Sequence, residues 1–179
     1  MTEIQILFSG PMVRAILEGR KSQTRRVAKV NDRNCVPGFI TPNAGWAPRP
    51  LAEHAAYSPY GRPADRLWVR ETFAFNVSKA SGYKYRADTD PATDGWKWNP
   101  SIHMPRAACR LLLDVTAVRV ERLQAISHED AEAEGVKCDL SAKTFTDHYR
   151  DLWDSLNAKR GFGWSVNPYV WVIEFRPSA

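Results

Sequence analysis

Ile4, Ile6 and Phe8 alternate with polar neighbours, and Ser9-Gly10-Pro11 then punctuates the chain before Met12, Ala15 and Ile16 recur at helical spacing. The pattern predicts a strand over 3–8 and a helix over about 11–18, with Pro11 in its first turn and Gly19 as its stop. The polar run from Arg20 to Arg26 breaks the apolar stripe and reads as a loop or exposed turn. Residues 28–64 hold six prolines and little periodicity, which predicts a long irregular excursion; residues 88–105 form a second, turn-rich one carrying Trp96 and Trp98.

Leu67, Val69, Glu71 and Phe73 share one face of a predicted strand, with Trp68, Arg70 and Thr72 on the other, and a short strand is expected from Tyr83. Residues 110–120 form the clearest internal strand, expected at the centre of the sheet, with Leu111, Leu113, Val115 and Ala117 on one side and Leu112, Asp114, Thr116 and Val118 on the other. Ser127 followed by Asp130 resembles a capping box and opens a short helix ending near Gly135. Phe145, Tyr149, Leu152, Trp153 and Leu156 mark a longer helix over about 145–157 with a core-facing stripe and Thr144 as its cap, and 169–175 reads as a buried strand. Several strands with a few helices and no regular alternation favour an α+β fold with a mainly antiparallel sheet or small barrel over a doubly wound one.

At 179 residues the chain has the size of one domain, and 44% hydrophobic with 25% charged residues fits a folded soluble protein. The longest apolar run, Tyr169 to Ile173, is too short to cross a bilayer, and no basic leader precedes the first strand, so a cytoplasmic protein without membrane contact is expected. Three scattered cysteines, Cys35, Cys109 and Cys138, support neither a disulfide framework nor a Cys-x-x-Cys site, and the four histidines lack metal-ligand spacing. Neither a Gly-x-Gly-x-x-Gly nor a Gly-Lys-Ser/Thr loop is present, so no dinucleotide or nucleoside-triphosphate cofactor is implied. The net charge of +5 leaves nucleic acid, nucleotide and plain solubility open.

Arg20, Lys21, Arg25 and Arg26 crowd around Ser22 and Thr24. This is either a solvated basic turn or a site in which the Lys21 amine, three residues from Thr24, takes the hydroxyl proton and makes the oxygen nucleophilic. Glu134 falls in the last turn of its helix, where the dipole disfavours an anion by about 0.3 to 1 kcal/mol, so it is either frayed into solvent or held by another partner. Glu71, among apolar neighbours, is either paired with a buried cation or lines a cavity as an acid. Trp46, Trp96 and Trp98 lie in the excursions and are candidates for stacking on bases; Trp153 and Trp171 read as packing, and Trp68 and Trp164 stay open.

Three stretches together, Ile16 to Arg26, Pro63 to Arg70 and Val170 to Phe175, resemble the ASCH-domain family. The resemblance implies a PUA-like fold, a small β-barrel with flanking helices spanning 1–179 as one domain, with insertions at about 28–60 and 76–105 that compact members lack. One branch of the family hydrolyses N4-acetylcytidine with a lysine and a threonine from a Gly-x-Lys-Thr-x-Thr-x-Arg motif and a glutamate on a later helix. Gly19, Lys21, Thr24 and Arg26 match that motif, Ser22 replaces its first threonine, and Glu134 corresponds to the glutamate, with Glu132 as the alternative register. The resemblance thus implies Lys21, Thr24 and Glu134 as catalytic residues without a cofactor. Arg26 or a loop N–H would serve the oxyanion, with Arg20, Ser22, Glu71 and Trp68 as further substrate contacts. A PUA-like RNA-binding module, or a ribonuclease using the same basic cleft, is the competing expectation.

Overall fold

The computed structural model describes residues 1–28, 55–76, 82–90, 95–137 and 143–178. Five strands form one sheet in the order β1-β3-β6-β7-β2: β1 (Glu3–Leu7), β2 (Gln23–Val27), β3 (Arg66–Arg70), β6 (Leu112–Arg122) and β7 (Tyr169–Pro177). The β1–β3 pair is parallel, and β3–β6, β6–β7 and β7–β2 are antiparallel. A two-stranded sheet, β4 (Phe73–Phe75) with β5 (Tyr83–Tyr85), stands beside it over a small core of Phe73, Tyr85, Met104 and Ala108. Among the described residues, three α-helices flank the main sheet: α1 (Gly10–Leu17), α2 (His128–Ala133) and α3 (Phe145–Asn157). Among the described residues, no helix is long and apolar enough to cross a membrane.

The fold is α+β, but among the described residues the sheet does not close into the expected barrel by backbone pairing. Its edges, β1 and β2, instead meet through a side chain, the Arg26 Nη2 donating to the Leu7 carbonyl at 2.7 Å. The bend that brings them together has a local cause in β6, where the register shifts between Val115 and Ala117. A bulge of this kind adds one unpaired residue and increases twist. It also reverses the alternation, so that Val118 and Val120 join Leu113 and Val115 in one core with α1, Ile6, Phe8 and Ile173. The strict alternation expected along 110–120 therefore fails at Thr116, although β6 does lie at the centre of the sheet. The opposite face, through Val170 and Val172, packs against Ala131 of α2 and Tyr149 and Trp153 of α3.

Two further expectations are corrected. The segment expected as a basic loop is the edge strand β2, paired with β7 from Gln23 opposite Glu174 to Val27 opposite Val170. Its polar residues are buried because they are matched, Arg25 bonding Glu121, Asp130 and Glu134. The strand expected through Phe73 breaks after Arg70 and resumes as β4, leaving Glu71 at the joint with 1% of its surface exposed. The excursion over residues 29–54, with Trp46, His54 and Cys35, lies outside the described residues, as does Cys138.

Candidate functional site

Lys21 is placed by the end of α1. Gly19, at φ +73°, turns the chain, and the Ala15 carbonyl accepts both the Arg20 and Lys21 amides, which folds Lys21 back beneath the helix. There it forms an isolated antiparallel bridge with Glu134, the C-cap of α2, and the adjacent Ser22 amide donates to the Ala133 carbonyl at 3.0 Å. The α2 N-terminus is fixed by Ser127, whose hydroxyl accepts from the Asp130 amide. Gly135 follows at φ +79°, and a Cβ built on it would lie 2.7 Å from the Lys21 Cβ and 3.0 Å from the Ala15 Cβ. Gly135→Ala is expected to cost about 2 to 4 kcal/mol, combining left-handed strain with overpacking, and urea unfolding of the variant measures it.

The Lys21 side chain is fully buried, and Nζ donates to the Gln23 carbonyl at 2.7 Å, the Glu134 carbonyl at 2.8 Å and Glu134 Oε2 at 2.9 Å. Arg25 Nη1 holds the other carboxylate oxygen at 3.2 Å. An anion at the negative end of α2 is thus neutralised by two cations, which answers the helix-dipole cost expected for Glu134. Burial pushes the Lys21 ammonium below the usual lysine range; the Glu134 carboxylate opposes that push, and the Arg26 and Arg25 charges add to it.

A cavity of about 580 Å³ opens between the two sheet edges and α3, within the range of small-molecule sites. Among the described residues it is lined by Thr24, Arg25 and Arg26 from β2, by Ile6 and Leu7 from β1, by Tyr60, by Glu134 and by the Tyr149, Trp153, Asn157 and Arg160 face of α3 and the turn after it. Thr24 and Arg26 alternate with Arg25 along β2, so the threonine hydroxyl and one guanidinium share a side of the strand. Glu134 therefore touches both Lys21 and the hollow that Thr24 lines, and Lys21 stands behind the carboxylate.

The other sequence candidates lie elsewhere. Arg20 clips to Glu18 and to the Gly135 carbonyl at 2.9 Å, and lines two neighbouring cavities rather than this one. Ser22 is exposed and contributes backbone, its carbonyl accepting from the Phe175 amide at 2.9 Å. Trp68 lies on the outer side of β3 between Arg70 and Arg106, whose guanidinium carbons sit 5.4 and 5.9 Å from its ring. Glu71 accepts a two-pronged pair from Arg110, 2.8 and 3.0 Å, and Arg110 also binds Asp88 at 2.6 Å. This is the paired reading of Glu71, and burial raises its carboxyl even though Arg110 pulls it down. Glu71→Ala is expected to cost about 3 kcal/mol by leaving Arg110 half-paired, measured by thermal unfolding, with the cavity unchanged.

Sequence reasoning missed Tyr60, Asn157 and Arg160. The signal for two of them was present: Tyr149, Trp153, Asn157 and Arg160 continue one helical stripe, and its last two members are polar. Trp153 and Trp171, read as packing, are buried and also wall the cavity, whereas Trp96 and Trp98 are not among its lining.

The fold is thus a mainly antiparallel α+β sheet with a buried amine–carboxylate pair behind a cavity of small-molecule size. No family model matches the chain, and no curated protein does. Among solved structures it is similar to an ASCH domain from Lactobacillus crispatus, at 10% identity and TM-score 0.45, over 98% of this chain and 79% of that one. It is similar also to protein EF3133 from Enterococcus faecalis, a DUF984 protein, at 8% identity and TM-score 0.46, over 99% and 80%.

Proposed function

We propose that the chain hydrolyses the amide of N4-acylated cytosine nucleosides such as N4-acetylcytidine. The observation that carries this reading is Glu134, whose carboxylate lines the cavity beside Thr24 and is held from behind by the buried Lys21 amine at 2.9 Å. A lysine pushed towards its neutral form is a base, and a hydroxyl whose proton a base can take is a nucleophile. Thr24 Oγ attacks the acyl carbon and its proton passes to Lys21. The carbon–nitrogen bond breaks, N4 leaves with that proton as the free amine of cytidine, and water then releases the acyl group from Thr24 as a carboxylic acid. Tyr149, Trp153 and Trp171 supply flat apolar walls against which a pyrimidine packs and from which water is excluded.

The three occupied donors of Lys21 favour a second assignment of roles within the same reaction. In it Lys21 stays an ammonium that positions Glu134, Glu134 takes the proton of an attacking water, and Thr24 orients that water.

Incubation of the purified chain with N4-acetylcytidine and longer N4-acyl homologues tests the reaction. Cytidine and the free acid are expected in equal amounts. No release with any acyl group overturns the reading; salt-dependent RNA binding without turnover would then point to a binding module, and cleaved RNA to a nuclease.

A further inference from the structure

The charges lining the cavity do not balance. Arg25, Arg26 and Arg160 face Glu134 as the one carboxylate among the described lining residues, and Glu134 is already engaged by Lys21 and Arg25. Arg25 is saturated by Glu121, Asp130 and Glu134. Arg26 and Arg160 are not: among the described residues Arg26 bonds the Leu7 carbonyl and lies over the Phe8 ring at 5.1 Å, and Arg160 bonds the Asn157 amide oxygen at 3.3 Å. Neither has a carboxylate partner within the described residues. Arg66, Arg106, Arg110 and Arg119 each have one, whereas Arg14, Arg62, Arg70 and Arg122 also bond neutral oxygens but do not line this cavity.

Tyr60 lines the same cavity as the two. Burial raises its hydroxyl, and the Arg26 and Arg160 charges both pull it back. Arg26 itself is lowered by burial, with no acid at hydrogen-bond distance to offset the loss of water, whereas the carboxylate-paired Arg25 and Arg119 are raised. Two planar guanidinium groups and a hydroxyl donor in one hollow, unmatched by protein anions, are the elements of an oxyanion-binding site. The hydrogen-bonded Asn157 is buried on α3 and fixes where Arg160 leaves the helix end.

We propose that Arg26, Tyr60 and Arg160 form a phosphate subsite, and that the substrate class is a phosphorylated N4-acylcytidine, a nucleotide rather than an uncharged nucleoside. This deepens the reading of the cavity above and rests on it. The amide end of the substrate meets Thr24 and Glu134, and the phosphate meets Arg26, two residues further along the same face of β2, together with Tyr60 and Arg160. The subsite adds binding without entering the bond-breaking step, so it acts mainly through KM.

The test compares kcat/KM for N4-acetylcytidine and its 5′-monophosphate in wild type and Arg160→Ala. It also compares calorimetric binding of cytidine and cytidine 5′-monophosphate, which needs no turnover. Wild type is expected to prefer the monophosphate by about tenfold or more in both readouts, the preference shrinking in Arg160→Ala and at high salt. Arg160→Lys, which keeps charge but loses the fork, is expected to retain part of it. Equal handling of the two ligands by wild type, or an unchanged preference in Arg160→Ala, overturns the phosphate subsite even if the nucleoside is hydrolysed. Preferential, Arg160-dependent binding of the monophosphate with no hydrolysis of either acyl compound supports the subsite and rejects the amidohydrolase reading.

Discussion

Lys21→Met lowers N4-acetylcytidine hydrolysis by about 10³-fold or more, and the protein remains folded. The expected loss follows from the position of the amine, which contacts the Glu134 carboxylate directly and has no exposed surface. Folding survives because Glu134 keeps Arg25 at 3.2 Å, so the substitution does not leave a bare buried anion, and methionine fills a similar volume without charge. Lys21→Arg restores the charge and not the rate, since a guanidinium does not give up its proton near neutrality. The pH profile carries the same information. Burial, the largest influence on Lys21, sets its folded pKa below the usual lysine value of 10.5. If Lys21 is the base, the neutral amine is the active form and kcat/KM falls as pH drops through that lowered value and levels off above it; if Lys21 positions Glu134 as an ammonium, kcat/KM instead falls as pH rises through it. Between the folded and unfolded values the unfolded chain binds the extra proton, so the Lys21 contribution to stability rises with pH across the same window. Cytidine release and near-ultraviolet circular dichroism, recorded across the alkaline range, check both signs.

Thr24→Ala is the second large effect, about 10³-fold, with Thr24→Ser keeping activity within about tenfold. Thr24 is 1% exposed and pairs with Ile173 across the β2–β7 ladder through backbone alone, so neither change removes a strand hydrogen bond. Serine keeps the oxygen and loses a methyl group; alanine loses the oxygen. Quenching wild type with excess substrate and mapping its peptides is expected to find one acetyl group on Thr24. Full activity in Thr24→Ala would contradict a nucleophilic threonine, and a partial loss without acetyl transfer fits the water-orienting role with Glu134 as base.

Much of the frame was legible because burial follows periodicity: α3 carries its Thr144 cap and apolar stripe, β6 its central run, and β7 its β-branched content. The β2 strand was not legible, since Gln23, Thr24 and Arg25 look like surface residues until the carboxylates of Glu121, Asp130 and Glu134 arrive from about a hundred positions away. Long-range charge matching leaves no local period. The bulge at Thr116 was hidden for a related reason: an extra residue shifts parity, and both halves of β6 alternate acceptably on their own. In the site, Lys21 and Thr24 stood out by their motif and Glu134 by its awkward place at a helix end. Tyr60 did not stand out, because it lies in a turn far from the motif; Arg160 sits on the continuation of the α3 stripe but beyond its apolar part.

Parallel time courses of N4-acetylcytidine hydrolysis by wild type, Lys21→Met, Thr24→Ala, Glu134→Gln and Glu71→Gln probe the central claim most directly. Wild type and Glu71→Gln are expected to release cytidine at similar rates, and the Lys21, Thr24 and Glu134 variants to lose about two orders of magnitude or more. Silence from folded wild type, or equal rates across all five proteins, contradicts it.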